Sequence, residues 1–437
     1  MKRLLFISYY FPPSGGPGVQ RTLKFAKYLP ENGWAPTVLT VDPRYASYPD
    51  LDDTLAADVP GSLVVLKTRS WDPYASYARL LGRPKDDTVG VAFVREESAG
   101  LRQRAGLWIR ANLFTPDARY GWVPFARREA NMLHRTDPFD AVLTTGPPHS
   151  THLVGRSLAR KWGVPWVADM RDPWTGIYYY PQLPMTRLAA ARDQRFERSV
   201  LTEADAVTVV SRSMVTNLSK RVSREYTYLP NGFDPDDFRD VPAQANKRFV
   251  IRHIGTLSRT QNPKSVWRQL QLLVSKSPGD VAVELIGHVD AEILMSIREH
   301  GLDNTVRILP YVDHDRAVAL MQDSSLLLLV IPDGASSHEI VTGKLFEYLA
   351  SGRPTLAIGP PDGDAGAILS DCSGGRMFAH GDSKGVHAYL AEQYGAFSRG
   401  EPNTGADPAG IQLYARPAQA SALAKLLHRV STGGTIE

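Results

Sequence analysis

The chain opens with Leu4-Leu5-Phe6-Ile7, four apolar residues that predict a strand buried on both faces. The loop Pro12-Pro13-Ser14-Gly15-Gly16-Pro17-Gly18 follows, and its prolines and glycines exclude helix and strand. Apolar residues then recur at helical spacing over residues 19–29, and Thr37-Val38-Leu39-Thr40-Val41 reads as the next strand. A strand, a helix and a strand in such close succession predict a parallel sheet with a right-handed crossover.

The alternation of strands and helices extends far beyond this first unit. It continues through residues 141–211 and begins again at residue 250, after a polar, proline-containing stretch that is typical of a connection between domains. We therefore expect two doubly wound α/β domains. Their expected bounds are residues 1–228 and 248–414, with a linker at 229–247 and a last helix within 415–437 that could pack back on the first domain.

One segment departs from this alternation. Residues 72–128 are rich in Trp, Tyr and Arg and show little periodicity, so we expect an irregular insertion there. Residues 66–135 carry 13 Lys and Arg against 7 Asp and Glu, whereas the whole chain carries 50 against 46. A basic surface attracts phosphates, nucleic acid or anionic lipid, and a merely solvated arginine-rich face is an equal alternative.

Length and composition exclude several classes of protein. A chain of 437 residues with 43% apolar and 22% charged residues is long enough for two or three packed domains and is not wholly disordered. Its single cysteine excludes an internal disulfide, a zinc ribbon and an Fe–S cluster, and it favours a reducing, cytoplasmic location. No apolar run approaches the ~20 residues of a membrane span. The first apolar run is brief and no small-residue cleavage site follows it, which favours a strand over a signal peptide.

Candidate ligand-binding residues in the second domain surround a predicted helix that begins at Thr342. Glu339 precedes this helix and Glu347 lies in its second turn, and two carboxylates there can accept hydrogen bonds from ribose and sugar hydroxyls. The free N–H groups of the first turn, together with Lys344, can meet a diphosphate. The alternative is an ordinary exposed helix with solvated charges.

Further candidates follow the ends of other predicted strands, where open parallel sheets bind their ligands. Arg259 and Lys264 follow the first strand of the second domain and offer two cations for a leaving diphosphate, although loop cations are often only solvated. In the first domain, His149 follows one strand, and Asp169 and Arg171 follow the next. A histidine at this place can bond a substrate hydroxyl or move a proton, and a structural histidine is an equal alternative.

The glycine loop at residues 12–18 allows a backbone to approach a phosphate or sugar closely. It matches neither the dinucleotide fingerprint nor a Walker A loop, which disfavours a nicotinamide dehydrogenase. Paired aspartates can hold Mg²⁺, but aspartate is also common in turns, and we expect no metal site. The pairs are Asp234-Pro235-Asp236, Asp313-His314-Asp315 and Asp362-Gly363-Asp364.

Together these features resemble the family-four glycosyltransferases of the GT-B fold, in which two Rossmann-like domains face each other across a cleft. The most specific stretch is Thr342-Gly343-Lys344-Leu345-Phe346-Glu347-Tyr348-Leu349-Ala350-Ser351-Gly352-Arg353-Pro354, preceded by Glu339. Ile7-Ser8-Tyr9-Tyr10-Phe11-Pro12-Pro13 and Asp169-Met170-Arg171-Asp172-Pro173-Trp174 also resemble the bacterial branch that builds capsule, O-antigen or exopolysaccharide.

The resemblance implies transfer of a sugar from a nucleoside diphosphate-sugar, with UDP or GDP as the nucleotide, to a carbohydrate acceptor that could be lipid-linked. It further implies donor binding in the second domain, retention of anomeric configuration, and no metal or other cofactor. Catalytic roles are implied for His149, Arg259, Lys264 and Glu339. Donor contacts are implied for Gly15, Gly16, Gly255, Thr256, Gly343, Lys344, Leu345 and Glu347, and acceptor-side contacts for Asp169 and Arg171.

One position departs from the family pattern. The family often has Gly-Arg-Leu where this chain has Gly255-Thr256-Leu257, and either Arg259 or Arg252 could replace the missing arginine. Two alternatives share the implied architecture: a nucleotide-sugar 2-epimerase and a non-catalytic nucleotide-sugar sensor or scaffold. Nucleic acid is not an expected partner. Peripheral contact with an anionic membrane is expected, because apolar residues stand between arginines at Trp108, Ile109, Leu113 and Phe114.

Overall fold

The computed structural model describes residues 1–48, 51–71, 101–239, 247–401 and 404–433. The chain divides into two compact units, of which the first comprises Met1–Pro230 and Gln419–Glu437 and the second comprises Asn231–Ala418. Both units are parallel α/β sheets, as the sequence predicts.

The first unit contains a seven-stranded sheet in the order β3-β2-β1-β4-β5-β6-β7, with every neighbouring pair parallel. The strand order reverses between β1 and β4, so the loops after these two strands leave the sheet on either side of the switch point. The strands are β1 Lys2–Ile7, β2 Trp34–Val41, β3 Val64–Thr68, β4 Ala141–Gly146, β5 Trp166–Met170, β6 Ala206–Val209 and β7 Thr227–Tyr228. The helices are α1 Pro17–Tyr28, α2 Leu101–Leu113, α3 Val123–Thr136, α4 Ser150–Trp162, α5 Arg187–Glu203 and α6 Arg212–Ser219.

The second unit repeats the plan with a six-stranded parallel sheet in the order β10-β9-β8-β11-β12-β13. Its switch point lies between β8 and β11. The strands are β8 Phe249–Ile254, β9 Val281–Ile286, β10 Val306–Leu309, β11 Leu326–Val330, β12 Thr355–Ile358 and β13 Gly375–Phe378. The helices are α7 Lys264–Lys276, α8 Ala291–Glu299, α9 His314–Gln322, α10 Gly343–Ala350, α11 Asp364–Asp371 and α12 Ser383–Ser398.

The expectation of an irregular insertion at 72–128 is wrong for the part that the structure describes. Residues 101–113 form α2, and α3 begins at Val123 and continues to Thr136. Helix α3 buries Val123, Ala126 and Ala130, which are spaced as one face of a helix. Two of these three residues are alanines, so the apolar face is inconspicuous among the arginines around it. Residues 72–100 lie outside the described residues.

The last helix, α13, spans Arg416–Ser431 and crosses the division between the units. From Gln419 onward it belongs to the first unit, where Leu423 and Leu427 pack in one buried cluster with Leu4 and Phe6 of β1. The helix thereby closes a surface of the first sheet with apolar side chains.

The stretch expected to be a linker, 229–247, is partly folded into the second unit. Phe233 is buried there and exchanges backbone hydrogen bonds with the segment before α13: its N–H donates to Tyr414 O at 3.1 Å, and Arg416 N–H donates to Phe233 O at 2.9 Å. The chain therefore enters and leaves the second unit side by side. Residues 240–246 lie outside the described residues.

Candidate functional site

Helix α10 carries the strongest candidates in the second unit. It buries Phe346, Tyr348 and Leu349 in the core and leaves Lys344 and Glu347, which are three residues apart, on its partly exposed face. Its N-terminal N–H groups are not capped by the preceding Thr342 side chain. A cation, a carboxylate and a helix N-terminus therefore share one face of the helix.

Glu347 is half-buried, and its carboxylate accepts no hydrogen bond from any residue that the structure describes. Burial raises the pKa of Glu347, and Asp237 raises it further, while the charges of His314, Lys344 and Arg416 oppose the rise. A carboxylate without donors is costly to hold in such surroundings. The Glu347 carboxylate can therefore accept hydrogen bonds from a ligand.

Gly255 directly follows β8 and has φ at 117°, a backbone conformation that residues with a Cβ rarely adopt. A Cβ at this position would overlap the Lys344 ammonium and the carbon next to it. The Lys344 side chain therefore lies across Gly255, at the carboxyl end of β8. Burial lowers the pKa of Lys344, and Glu347 opposes that change. Thr256, the next residue, is exposed.

Three of the predicted cations of the second unit have different environments. Arg259 is exposed and pairs with Glu292 Oε2 at 2.5 Å, whereas Lys264 is exposed in the first turn of α7 and makes no ion pair within the described ranges. Arg252 is buried in β8 and binds Glu284 at 2.7 Å and Asp323 at 3.4 Å. Arg252 is therefore engaged inside the unit, and it cannot replace the missing arginine of the pattern.

Glu339, expected to be catalytic, precedes α10, and Leu345, expected to contact the donor, lies within this helix. Glu339 is half-buried and ends a short 3-10 helix, Ser337–Glu339, in the connection between β11 and α10. Leu345 is fully buried and its N–H donates to Thr342 O at 3.2 Å, so its side chain serves the core and its expected donor contact stays a prediction.

In the first unit, the glycine loop leads directly into α1. Gly16 has φ at 99° and is exposed, and apart from its chain neighbours no atom of the described residues lies within 4 Å of the position that a Cβ would take. Gly15 is half-buried. By contrast, a Cβ on Gly18 would overlap the guanidinium of Arg171, which donates to Pro147 O at 2.5 Å. The loop is thus open at Gly16, and Arg171 lies against the first turn of α1.

The structure gives Asp169 a structural role in place of the expected contact with the acceptor. Its carboxylate is buried and accepts hydrogen bonds from Arg21 at 3.0 and 2.8 Å, from Thr145 at 2.7 Å and from Thr208 at 2.6 Å. Although burial would raise the pKa of Asp169, the Arg21 charge and these hydrogen bonds lower it to about 2. Arg21 also donates to the carbonyl of Leu229 at 2.9 Å. Asp169 therefore joins strands and α1 and is not placed to bind an acceptor.

His149 directly precedes α4 and follows the carboxyl end of β4. Its ring stacks on Trp174 with 4.6 Å between centroids and 6° between planes. Its Nδ1 is buried and has no hydrogen-bond partner in the part of the chain that the structure describes. Burial lowers the pKa of His149 well below its usual value, and the charges of His152 and Arg171 lower it further.

Sequence reasoning missed several residues of these sites. His253 is buried in β8, with Nδ1 2.9 Å from Leu328 O, and burial followed by the Lys344 charge lowers its pKa to about 3. A histidine inside an apolar strand is the signal that could have drawn attention to it. Gly18 and Trp174 stand in stretches that the sequence analysis singled out, but the roles of Gly18, Arg21 and Trp174 could not be assigned because their partners are distant in sequence.

Across the described ranges, no group of three His, Cys, Asp or Glu side chains is arranged to hold a metal ion. Asp234 and Asp313, each the first residue of an Asp-x-Asp triplet, cap the starts of helices with their side chains. None of the helices in the described ranges combines the length and the apolar character that crossing a membrane requires.

Comparison with known proteins gives a match to one family over part of the chain and a similar fold over nearly all of it. Residues 15–232 match the family described as "Glycosyl transferase 4-like domain". A glycosyltransferase from Rickettsia africae has a similar structure, with a TM-score of 0.62 and 12% identity over 98% of each chain. HepE from Anabaena, solved with UDP and glucose, has a TM-score of 0.53 and 15% identity over 99% of this chain and 98% of that one.

A third similar structure is the lipopolysaccharide outer core galactosyltransferase WaaB, with a TM-score of 0.56 and 11% identity over 99% of each chain. At such low identities these likenesses bear on the fold, which is that of two parallel-sheet domains of the GT-B type. No protein with a curated description matches the sequence significantly.

Proposed function

Because residues 15–232 match the glycosyl transferase 4-like family and the chain has the GT-B fold, we propose that it is a glycosyltransferase that transfers a glycosyl group from a nucleoside diphosphate-sugar. The donor binds in the second unit, at the carboxyl ends of β8 and β11. UDP is the first nucleotide to test, because HepE from Anabaena was solved with UDP and with UDP-glucose.

The observation that carries this proposal is the pairing of Glu347 and Lys344 on α10. The Glu347 carboxylate is half-buried without a hydrogen-bond donor among the described residues, and it can accept from the two ribose hydroxyls. Lys344 lies over Gly255 near the uncapped start of α10 and can meet the diphosphate. The two groups lie about one helical turn apart. The Glu347 carboxylate suits the hydroxyls of a nucleotide-sugar, and the Lys344 ammonium suits its phosphates.

The remaining cations support the departure of the nucleoside diphosphate. Lys264 is exposed at the start of α7, and Arg259 joins it if its exposed pair with Glu292 exchanges for phosphate. Cations and a helix N-terminus stabilise the charge that develops on the leaving group, and we propose that they do so without a metal ion. Glu339 contacts the transferred sugar in this proposal, and the Nε2 of His149 contacts a sugar hydroxyl.

We also propose that the transfer retains anomeric configuration and that the acceptor is a carbohydrate of a surface polysaccharide. The family resemblance supports both statements, and NMR of the anomeric proton of the product tests the first. Inversion in the product would contradict it. A pathway assignment requires the acceptor, which a screen of oligosaccharide and lipid-linked primers would identify.

A peripheral contact with membranes is a further proposal. In helix α2, Trp108 is 46% exposed and Leu113 is 60% exposed, and Arg110 lies between them in sequence. Such an apolar and basic surface suits the headgroup region of an anionic bilayer. Flotation with vesicles of mixed phosphatidylcholine and phosphatidylserine tests it with Trp108→Ser/Leu113→Ser. Unchanged flotation of this double variant would contradict the contact.

The test of donor binding is a thermal-shift panel of UDP-, GDP-, ADP- and TDP-sugars, with and without EDTA. A ligand at 100 times its dissociation constant adds about 2.7 kcal/mol to stability, which gives a clear shift. We expect a shift with one nucleotide class that persists in EDTA and is lost in Glu347→Ala. Glu299→Ala is the matched control, because Glu299 is an exposed carboxylate at the far end of α8.

A shift that Glu347→Ala keeps in full would contradict the proposed site. Turnover then separates the alternatives: transfer releases free nucleotide only when acceptor is present, and a 2-epimerase changes the sugar without one. Binding without any turnover would leave a non-catalytic nucleotide-sugar protein.

A further inference from the structure

Among the residues that the structure describes, none makes with Nδ1 of His149 the hydrogen bond that usually fixes a functional imidazole. In many sites the second ring nitrogen donates to a carboxylate or a carbonyl, and that bond sets the ring plane. Here Nδ1 is buried with no such partner among the residues that the structure describes. Another contact must therefore hold the ring if Nε2 is to meet a ligand in one orientation.

The face of Trp174 provides that contact. Its indole lies 4.6 Å from the His149 ring at 6° between planes, and its side chain is 3% exposed. Parallel stacking over this area restricts the tilt of the imidazole while leaving its edge free. The nearby His152, in the first turn of α4, is farther from the same indole, at 6.4 Å and 30°.

Trp174 is itself fixed to α5. Its Nε1–H donates to Asp193 Oδ1 at 2.8 Å, and Asp193 is buried. The next residue, Thr175, donates its hydroxyl to Glu197 Oε2 at 2.5 Å, one helical turn further along α5. Two adjacent residues of the loop after β5 are thus anchored by two carboxylates four residues apart, which leaves the indole little freedom to rotate.

We propose that Trp174, anchored by Asp193, is a positioning residue that sets the plane of the His149 ring for the transfer reaction. Neither Trp174 nor Asp193 touches the substrate; both act through His149. This inference rests on the proposed function for its kinetic test, and it has a second test that does not.

The kinetic test is a double-mutant cycle in the full-length enzyme with the donor sugar selected by the thermal-shift panel. Trp174→Leu removes the aromatic face, and we expect kcat to fall on the order of 100-fold with the donor KM unchanged. Trp174→Phe restores a face and should recover most of that loss. In the His149→Ala background, Trp174→Leu should change kcat by less than about 2-fold, because its action passes through His149.

Trp162→Leu is the matched control. Trp162 stacks on His134 with 3.9 Å between centroids, and its Nε1–H donates to Asn131 Oδ1 at 3.0 Å, so it has the same two interactions elsewhere in the same unit. We expect Trp162→Leu to lower kcat little. An equal fall of kcat for Trp174→Leu in both backgrounds would overturn the positioning role.

The independent test is the NMR signal of the His149 ring in protein labelled at histidine. The indole face should shift the ring protons of His149 upfield, and Trp174→Leu should move them toward free-histidine values while His134 stays in place. An unchanged His149 signal in Trp174→Leu would overturn the inference even if no donor is turned over. Absence of turnover in the wild type with this NMR shift present would instead contradict only the proposed function.

Discussion

Replacement of Asp169 by asparagine should weaken the first unit strongly without altering donor affinity. The Asp169 carboxylate accepts from Arg21, Thr145 and Thr208, and the Arg21 guanidinium is 0% exposed. Asparagine keeps one acceptor oxygen but removes the charge and turns an NH₂ group toward donors. Arg21 would then be a buried cation without its carboxylate.

The magnitude follows from two independent considerations. Breaking a buried ion pair by removing one partner costs on the order of 3–5 kcal/mol. The pKa of Asp169 is held at about 2, below the ordinary 3.8, and this difference corresponds to about 2 kcal/mol that favours the ionised carboxylate in the fold. Because the folded pKa is depressed, that stability is present above pH ~4 and is lost as the pH falls toward 2.

Hydrogen exchange in the native state measures this loss separately for each unit. Peptides that cover β4, β5 and β6 should exchange faster in Asp169→Asn, by a factor that corresponds to about 3–5 kcal/mol at pH 7. Urea unfolding of both proteins should show a smaller difference at pH 3. Asp140→Asn, at an exposed aspartate that accepts a hydrogen bond from Arg3 N–H, is the control. A loss below about 1 kcal/mol in Asp169→Asn would refute a structural role of this size.

Three other variants have equally definite expectations. Lys264→Ala should weaken the binding of a nucleoside diphosphate, measured by calorimetry, about 5- to 30-fold. The control Lys276→Ala, at the opposite, exposed end of α7, should leave that affinity unchanged. Equal affinities of the two variants would contradict a role of Lys264 at the diphosphate. Gly18→Ala should displace Arg171, whose guanidinium occupies the place of the new Cβ, and a crystal structure with Arg171 unmoved would contradict that steric argument. Because burial raises the pKa of Asp193 to about 6, the wild type loses stability as the pH rises through 6. At pH 8, Asp193→Asn should therefore be more stable than the wild type by up to about 3 kcal/mol. Thermal unfolding profiles that are equal at pH 5 and pH 8 for both proteins would contradict this expectation.

The sequence specified the elements whose patterns are local and strongly apolar. Strand β1 could be predicted because its apolar residues form one continuous run, and helix α4 could be predicted because Gly163 directly follows its last residue. Strand β3 could not, because it lies at the edge of its sheet and its residues are mostly only partly buried. The alanine-rich face of α3 was hidden for the related reason that small side chains give a weak hydrophobic pattern.

In the candidate site, too, only features that depend on residues close in sequence could be predicted. Lys344 and Glu347 could be assigned to one helix face from their spacing alone, and the structure places both there, partly buried. The pairing of Asp169 with Arg21 joins residues 148 positions apart, so a single sequence could not reveal that Asp169 is occupied. The stacking of Trp174 on His149 likewise depends on how two loops leave neighbouring strands.

The central claim is that Glu347 holds the nucleotide-sugar donor, and calorimetric titration of the unligated protein with UDP, UDP-glucose and GDP-mannose tests it most directly. Glu347→Gln should bind the selected nucleotide about 10- to 100-fold more weakly, since hydrogen bonds to a charged group are worth about 1.5–3 kcal/mol. The same variant without ligand should be at least as stable as the wild type, because burial of the carboxylate raises its pKa in the absence of a donor. An unchanged dissociation constant, or a less stable unligated variant, would contradict the assignment of Glu347 to donor binding.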